Sequence, residues 1–259
     1  LTRFGGYVSA INVPTVALRH LPLGWSFAEG AAYPVQALTA WYGLVTLGAV
    51  TRDHVVLVQS AAGGVGLNAL TILRALGART VAVVGNESKR EWLQRERGLS
   101  RDAIVVRDRA GFPGALDRVL SQMGVRGFNV VFDAVSGPYF QPAYTRLLPE
   151  GRYVVYGAAD FMTRGTRRNW WHLARAYLSR PTVDPLHMVS DNRSVMGFNL
   201  IWLWDKAPEL SGLFDAMAPV FTVPPDVGRT FSFGDAPAAM RYLQEGGSVG
   251  KVVLESGVK

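Results

Sequence analysis

The sequence predicts an α/β fold, a doubly wound parallel sheet joined to β-rich segments at both ends of the chain. Three observations carry this. Between Val55 and Tyr156, short runs of β-branched and apolar residues alternate with helical periodicity, the rhythm of parallel strands linked by right-handed crossover helices. The first such run stops at Ser60-Ala61-Ala62-Gly63-Gly64-Val65-Gly66, a small-residue turn inside which a helical pattern starts. Outside that region the chain returns to short strand-like runs. At 259 residues, 49% of them apolar, it suffices for one large or two modest domains with a real core.

In order, residues 7–13 and 15–18 have strand-like composition without helical period, so the stretch 1–34 reads as β-rich and irregular. Leu21-Pro22-Leu23-Gly24 is a turn, and Ser26-Phe27-Ala28-Glu29 is a capping-box start to a short helix. A helix is predicted over 35–47, with Gly48 as its C-terminal cap. The βα units then follow: strand 55–59, helix 67–76 closing at Gly77, strand 80–84, polar helix 87–97, strand 104–106, helix 114–123, strand 129–132, helix 139–148 and strand 153–156. After Gly157 come a basic loop at 163–169, a helix at 170–178, a sixth strand at 194–200 and a helix at 208–218. The tail reads as strand 230–233, helix 236–246 and closing strand 251–255.

Composition excludes several classes. No run of eighteen apolar residues occurs, so no transmembrane helix is expected. The opening Leu1-Thr2-Arg3-Phe4-Gly5-Gly6-Tyr7 lacks an initiator Met and signal-peptide organisation, and the chain reads as beginning mid-fold. Absence of cysteine removes disulfides and thiolate metal sites; it leaves the compartment undecided and is compatible with an intracellular enzyme. His20, His54, His172 and His187 are scattered without metal-ligating spacing, so no metal is expected. A net charge of +7 favours anionic ligands in general, but no long basic tract points to nucleic acid.

At the turn, Gly63 and Gly66 permit close backbone approach, and the amides opening the helix point where a pyrophosphate would sit. The same residues also fit a plain strand–turn–helix without ligand, and Ala61 stands where a GxGxxG pattern has its first glycine. In the dinucleotide-binding fold an acidic residue about 20 positions on holds the ribose 2′-hydroxyl of NAD. Here the second strand ends Val83-Val84-Gly85-Asn86-Glu87-Ser88-Lys89-Arg90, with no carboxylate at its tip. Ser88, Lys89 and Arg90 offer a hydroxyl and two cations to a 2′-phosphate, which favours NADPH over NADH. A solvated first helical turn, with Glu87 beside it, is the competing reading.

With Ala31-Ala32-Tyr33-Pro34-Val35-Gln36-Ala37-Leu38-Thr39-Ala40 ahead of it, the turn resembles the medium-chain dehydrogenase/reductase superfamily. Within that superfamily it looks like the zinc-free quinone oxidoreductase branch, which carries Ala at the place of Ala61. The runs Arg168-Asn169-Trp170-Trp171-His172-Leu173-Ala174-Arg175 and Asn192-Arg193-Ser194-Val195-Met196-Gly197-Phe198 are similar to the subgroup containing the synaptic-vesicle amine transport protein. The closing Val249-Gly250-Lys251-Val252-Val253-Leu254 also fits, so the resemblance covers nearly the whole chain.

The resemblance implies a Rossmann domain over 37–204. Residues 1–36 and 205–259 would belong to a GroES-like catalytic domain whose N-terminal portion is absent. It implies a cytoplasmic, homodimeric, zinc-independent reductase that passes hydride from NADPH to a quinone or an α,β-unsaturated carbonyl. By the same resemblance, Thr39 and the turn Ala62, Gly63, Gly64 and Val65 touch the nicotinamide end and the pyrophosphate. Lys89, with Ser88, binds the 2′-phosphate. Val135, in the loop Asp133-Ala134-Val135-Ser136-Gly137, lies near the adenosine ribose, and Gly157 ends the fifth strand beside the cofactor. Phe198 and Leu200 face the nicotinamide, and Lys251 belongs to the closing motif. The family's Asn-Tyr pair after the third strand is Val106-Arg107 here, which makes Arg107 a substitute phosphate contact. No proton donor is assigned. Two rivals share the fold: a non-enzymatic nucleotide-binding protein associated with a partner or membrane, and an enoyl reductase acting on carrier-bound acyl chains.

Other residues carry two readings each. Tyr33, before Pro34, either donates a proton in a cleft or packs its ring. Trp170, Trp171, Trp202 and Trp204 form a substrate wall, or else core and interface. An exposed group at 201–204 would mark a dimer edge or a membrane patch. Arg164, Arg167 and Arg168 meet anionic lipid or form a solvated loop. Asp133 is a general base or caps the turn that follows it.

Overall fold

The uninterrupted Val55-Val56-Leu57-Val58 run is buried at every position, as a central parallel strand requires. In the computed structural model, which describes residues 2–8, 10–161 and 170–257, this run is β1 (Val55–Val58). With β2 (Arg79–Val84), β3 (Ile104–Val106), β4 (Phe128–Asp133), β5 (Leu147–Val155) and β6 (Ser194–Gly197) it forms a parallel sheet. The order is β3-β2-β1-β4-β5-β6, the doubly wound arrangement whose direction reverses between β1 and β4.

Side chains alternate across each strand and build two cores. Val56, Val58, Ala82, Val84, Val130, Phe132 and Val154 face one side. They pack there with α2 (Pro34–Trp41), α3 (Gly64–Leu76), Leu93 of α4 (Glu87–Arg97) and α9 (Ala207–Met217). Val55, Leu57, Val81, Val83, Val131 and Tyr153 face the other, against α5 (Phe112–Gln122) and α6 (Phe140–Tyr144). Helix α1 (Phe27–Ala32) starts at a full capping box: the Glu29 amide donates to Ser26 Oγ at 3.3 Å, and the Ser26 amide donates to Glu29 Oε2 at 2.7 Å. Helices α3 and α4 both stop at glycines in the left-handed region, Gly77 at φ 72° and Gly98 at φ 65°. Two helices, α7 (Trp170–Leu178) and α8 (Pro185–Asp191), lead into β6, and α10 (Ala236–Gln244) connects β7 (Val227–Ser232) to β8 (Lys251–Glu255). The last two strands make a separate parallel pair against which α1 packs.

Several expectations are corrected. None of the described residues of 2–34 lies in a strand, and 15–18 holds only a 3₁₀ turn, Thr15–Ala17. None of its described residues joins a ladder, and Pro14 and Pro22 remove donors from it. Gly48 is the C-cap as expected, but of a different kind of turn. Helix α2 passes into a π-helical turn, Tyr42–Leu47, and Gly48 at φ −71° donates to the Gly43 carbonyl at 2.9 Å. The left-handed conformation falls to Ala49, at φ 43°. The helix expected over 139–148 is only α6, because Leu147 and Leu148 already belong to β5, which bends at a register shift and at Glu150. The sixth strand ends at Gly197, and Leu200–Lys206 is a 3₁₀ segment. The basic loop at 163–169, with Arg164, Arg167 and Arg168, lies outside the described residues.

Candidate functional site

The strand-to-helix turn is built around one contact. A Cβ on Gly66 would stand 2.3 Å from the Ser60 carbonyl oxygen and 2.6 Å from Ala61 Cα, so only glycine lets α3 start this close to β1. Ser60 takes φ 54°, the Gly63 amide donates to its carbonyl at 2.9 Å, and Ala61 and Ala62 are buried. The first intrahelical bond runs from the Leu67 amide to the Gly63 carbonyl. The amides of Gly64, Val65 and Gly66 therefore precede the ladder, at the positive end of α3, with no acidic side chain in the first turn. That is the chemistry a pyrophosphate needs, and the residues present fit it.

A distant segment closes the turn. The Gly250 amide donates to the Ala62 carbonyl at 3.0 Å, and Gly63 bridges to Gly250. Gly250 sits at φ 68°, and its Cβ would lie 2.6 Å from the Asp226 carbonyl. Next to it, Lys251 Nζ donates to the buried Gln36 at 2.7 Å, with the Gln36 amide nitrogen donating to the Ala32 carbonyl at 3.0 Å. Gln36 Cγ comes within 3.1 Å of a Cβ position on Gly64. Burial pulls the Lys251 ammonium below the usual lysine range. Sequence reasoning missed Gln36, although a polar residue in the apolar helix around it was a visible signal.

At the tip of β2 a second cradle forms. The Arg107 guanidinium lies 3.4 Å from the Cβ position of Gly85 and over the Tyr139 ring at 5.6 Å. Tyr139 thus supplies an aromatic face beside the cation, in a place the sequence did not predict. Lys89 Nζ donates to the Gly246 carbonyl at 2.7 Å; burial first, and then the Arg107 charge, lowers its pKa. Glu87 is held by Arg90 and, at 3.2 Å, by Arg101, which keep its carboxyl below the usual range. Arg90 is therefore committed to Glu87 and does not join Lys89. Ser88 Oγ donates to Asn86 Oδ1 at 2.9 Å, and Asn86 caps α4. With two cations and no carboxylate at the strand tip, the site suits a phosphate better than a bare hydroxyl.

The remaining predicted residues lie around the ends of the central strands and the start of α2. Asp133 is no general base in an open cleft: its Oδ1 accepts from the Val135 amide at 2.7 Å and its Oδ2 from Tyr153 Oη at 2.7 Å. It caps its own turn, fully buried, and burial raises its pKa against those bonds. Val135 is buried in that turn, and Gly157 packs on it, a Cβ there meeting the Ala134 carbonyl at 3.0 Å. The Phe198 ring lies 5.1 Å from Tyr42 and 6.4 Å from Tyr156. On α2, Thr39 Oγ1 donates to the Val35 carbonyl at 2.6 Å. Beyond it opens a cavity of about 820 Å³, lined among others by Trp25, Tyr33, Val35, Leu38, Leu200 and Phe214. Trp204 also lines it, whereas Trp170, Trp171 and Trp202 are exposed.

The profile of a family described as zinc-binding dehydrogenase matches residues 112–254, more than half of the chain. The chain belongs to this family. It is a medium-chain dehydrogenase/reductase near the vesicle-protein group. The human synaptic vesicle membrane protein VAT-1 homolog is 30% identical to it over 262 residues, 99% of this chain and 64% of that protein. The chain thus spans under two thirds of the length of that relative. The Thermus thermophilus quinone oxidoreductase, solved also in complex with NADPH, is 30% identical with a TM-score of 0.75, over 97% of this chain and 74% of that one. The CurK enoyl reductase is 26% identical with a TM-score of 0.70, over 91% of this chain and 64% of that one. For a family named after zinc, this chain has no cysteine, and among the described residues no cluster of three His, Asp or Glu side chains is placed to hold a metal.

Proposed function

We propose that this dehydrogenase family member binds NADPH and reduces a quinone or an α,β-unsaturated carbonyl without zinc. One observation carries the reading: unladdered amides at the α3 N-terminus and the Lys89–Arg107 pair, with no acid at the β2 tip, mark out two anion sites on neighbouring strand ends. The NADPH complex of the Thermus quinone oxidoreductase supports it.

Bound there, the cofactor supplies the hydride. The chain's own residues do the rest. The amides of Gly64, Val65 and Gly66 hold the pyrophosphate, and Lys89 and Arg107 hold the 2′-phosphate. Thr39, Phe198 and Leu200 shape the nicotinamide end and exclude water from it. Residues 1–36 and 205–259 act as one GroES-like unit around the domain 37–204, which the packing of α1 on β7 and β8 supports. The edge position of β6 and the exposed Trp170 and Trp171 support a homodimer, and the same aromatics would serve a peripheral membrane contact. No described helix is long and apolar enough to cross a membrane.

A second reading, an enoyl reductase on carrier-bound chains, is supported by the likeness to CurK. One panel separates them: NADPH binding by calorimetry, then NADPH oxidation with quinones, enones and a crotonyl thioester. Oxidation by quinones or free enones is the expected result, and oxidation by the thioester alone selects the second reading. NADPH bound tightly yet oxidised by no acceptor overturns both and leaves a non-enzymatic nucleotide-binding protein.

A further inference from the structure

Gln59 follows β1 directly, and its amide donates to the Phe132 carbonyl at 2.9 Å. The β1–β4 ladder, in which Val58 pairs with Phe132, therefore runs one residue further and sets Gln59 beside Asp133. By strand alternation both side chains point to the face of Leu57 and Val131, where Tyr153 Oη reaches Asp133. Strand order reverses at this place. Helix α3 leaves β1 for one face of the sheet and α6 leaves β4 for the other, so the crevice between the two connections opens over Gln59 and Asp133.

The two neighbours are both 0% exposed but are not equally satisfied. Asp133 accepts from the Val135 and Ser136 amides and from Tyr153. Gln59 Oε1 and Nε2 have no hydrogen-bond partner among the described residues. Each turn that follows also holds a strained residue: Ser60 at φ 54°, and Ser136 at φ 60° and ψ −142°, where glycine is favoured. A carboxamide buried without partners costs stability, and an apolar side chain of the same length would fill the space without that cost. Among the described residues nothing offsets the cost in the empty protein, so the group has its use in another state. The turn after Gln59 ends in the unladdered amides of α3, and a ligand on those amides lies above Gln59. A side chain this deep reaches such a ligand only through an interposed group, of which an ordered water is the smallest.

We propose that Gln59 is a positioning residue whose hydrogen bonds are completed only when nucleotide is bound, through a water held between its carboxamide and the ribose–pyrophosphate. The empty protein carries the unpaired amide, and the loaded protein does not. This role rests on the dinucleotide-binding reading and extends it to a residue below the surface of the site. Ribose and pyrophosphate are common to NADPH and NADH, so Gln59 serves both alike, unlike Lys89.

Gln59→Met and Gln59→Leu test this, with Tm read on the ligand-free chain and Kd for NADPH, NADH and ADP-ribose read by calorimetry. In Gln59→Met the Tm is expected to hold or rise, since the unpaired amide is gone and the volume is kept. All three Kd values are expected to rise together by about 2–10-fold, the value of one hydrogen bond, with the ratio of NADPH to NADH affinity unchanged. Gln59→Leu, of a different shape, is expected to give the same pattern of Kd values. A Tm that falls in both variants, or failure of both to fold, means that the amide is already satisfied without ligand and overturns the proposal. Unchanged Kd values overturn it while leaving NADPH binding intact. A rise for NADPH alone assigns the effect to the 2′-phosphate and overturns it too. A wild-type chain that binds none of the three ligands overturns the cofactor reading and the proposal together.

Discussion

Gly66 owes its identity to two backbone atoms that cannot move aside, the Ser60 carbonyl oxygen and Ala61 Cα. Gly66→Ala is expected to cost about 1–3 kcal/mol, read as a fall in Tm, and to weaken dinucleotide binding with it. Gly63→Ala is the control: its added Cβ meets nothing nearer than 3.3 Å at an ordinary φ of −81°, and a much smaller fall is expected. On the proposed reading, Lys89 is the residue that separates the two nicotinamide cofactors. Lys89→Ala is expected to cost roughly 1.5–3 kcal/mol of NADPH affinity, the value of a hydrogen bond to a charged group, and little of NADH affinity. Equal loss for both would remove the 2′-phosphate assignment. Because burial and the Arg107 charge depress the Lys89 pKa, its charge is lost as pH rises through a value below 10.5. NADPH affinity should therefore start to weaken at a lower alkaline pH than an exposed lysine would give, with NADH affinity flat.

The elements show which parts of a fold local patterns reveal. Helix α4, between its Asn86 cap and Gly98, and the apolar runs of β3 and β8 fall at the predicted residues, because caps and short β-branched runs are properties of the segment itself. The stretch before residue 34 does not follow its composition. Strand-like residues tolerate extension, but pairing needs a neighbouring edge, which no local pattern reports. The π turn after α2 and the early start of β5 at Leu147 are likewise set by what packs against them. At the site, the glycine turn and the cation at Lys89 stand in the local sequence, while the Gln36–Lys251 bond, the Tyr139 face under Arg107 and the Lys89–Gly246 bond join residues far apart in it. The loop before β1 carries a pH effect of its own. His54 Nδ1 accepts from the Thr51 amide at 3.3 Å, and burial, with the Arg152 charge second, lowers its pKa. The unfolded chain then takes up the proton more readily, so stability should fall as pH drops below about 6.5. In His54→Asn that part of the fall, followed by thermal unfolding between about pH 5 and 7, should vanish.

At the scale of the molecule, the sheet and the return segment are one system. Gly246, Gly250 and Lys251 contact Lys89, Ala62 and Gln36 around the two anion sites. Arg97 of α4 pairs with Asp226, whose carbonyl accepts from the Lys251 amide. Ligand binding should therefore stabilise both parts together. NADPH at about 100 times its Kd is expected to add about 2.7 kcal/mol in a single unfolding transition, checked by calorimetry, and two separated transitions would contradict that coupling. The same stitching sets an order of events during synthesis. At about 5–20 residues per second, a nascent chain carries its glycine turn for roughly 10–40 s before Gly250 has been made. The sheet up to β5 can assemble on the ribosome, but the turn stays open on one side until the closing residues emerge. A pocket for nucleotide is thus completed only once residues 246–251 are made, and a message cut short before residue 246 should yield a sheet with an unfinished pocket.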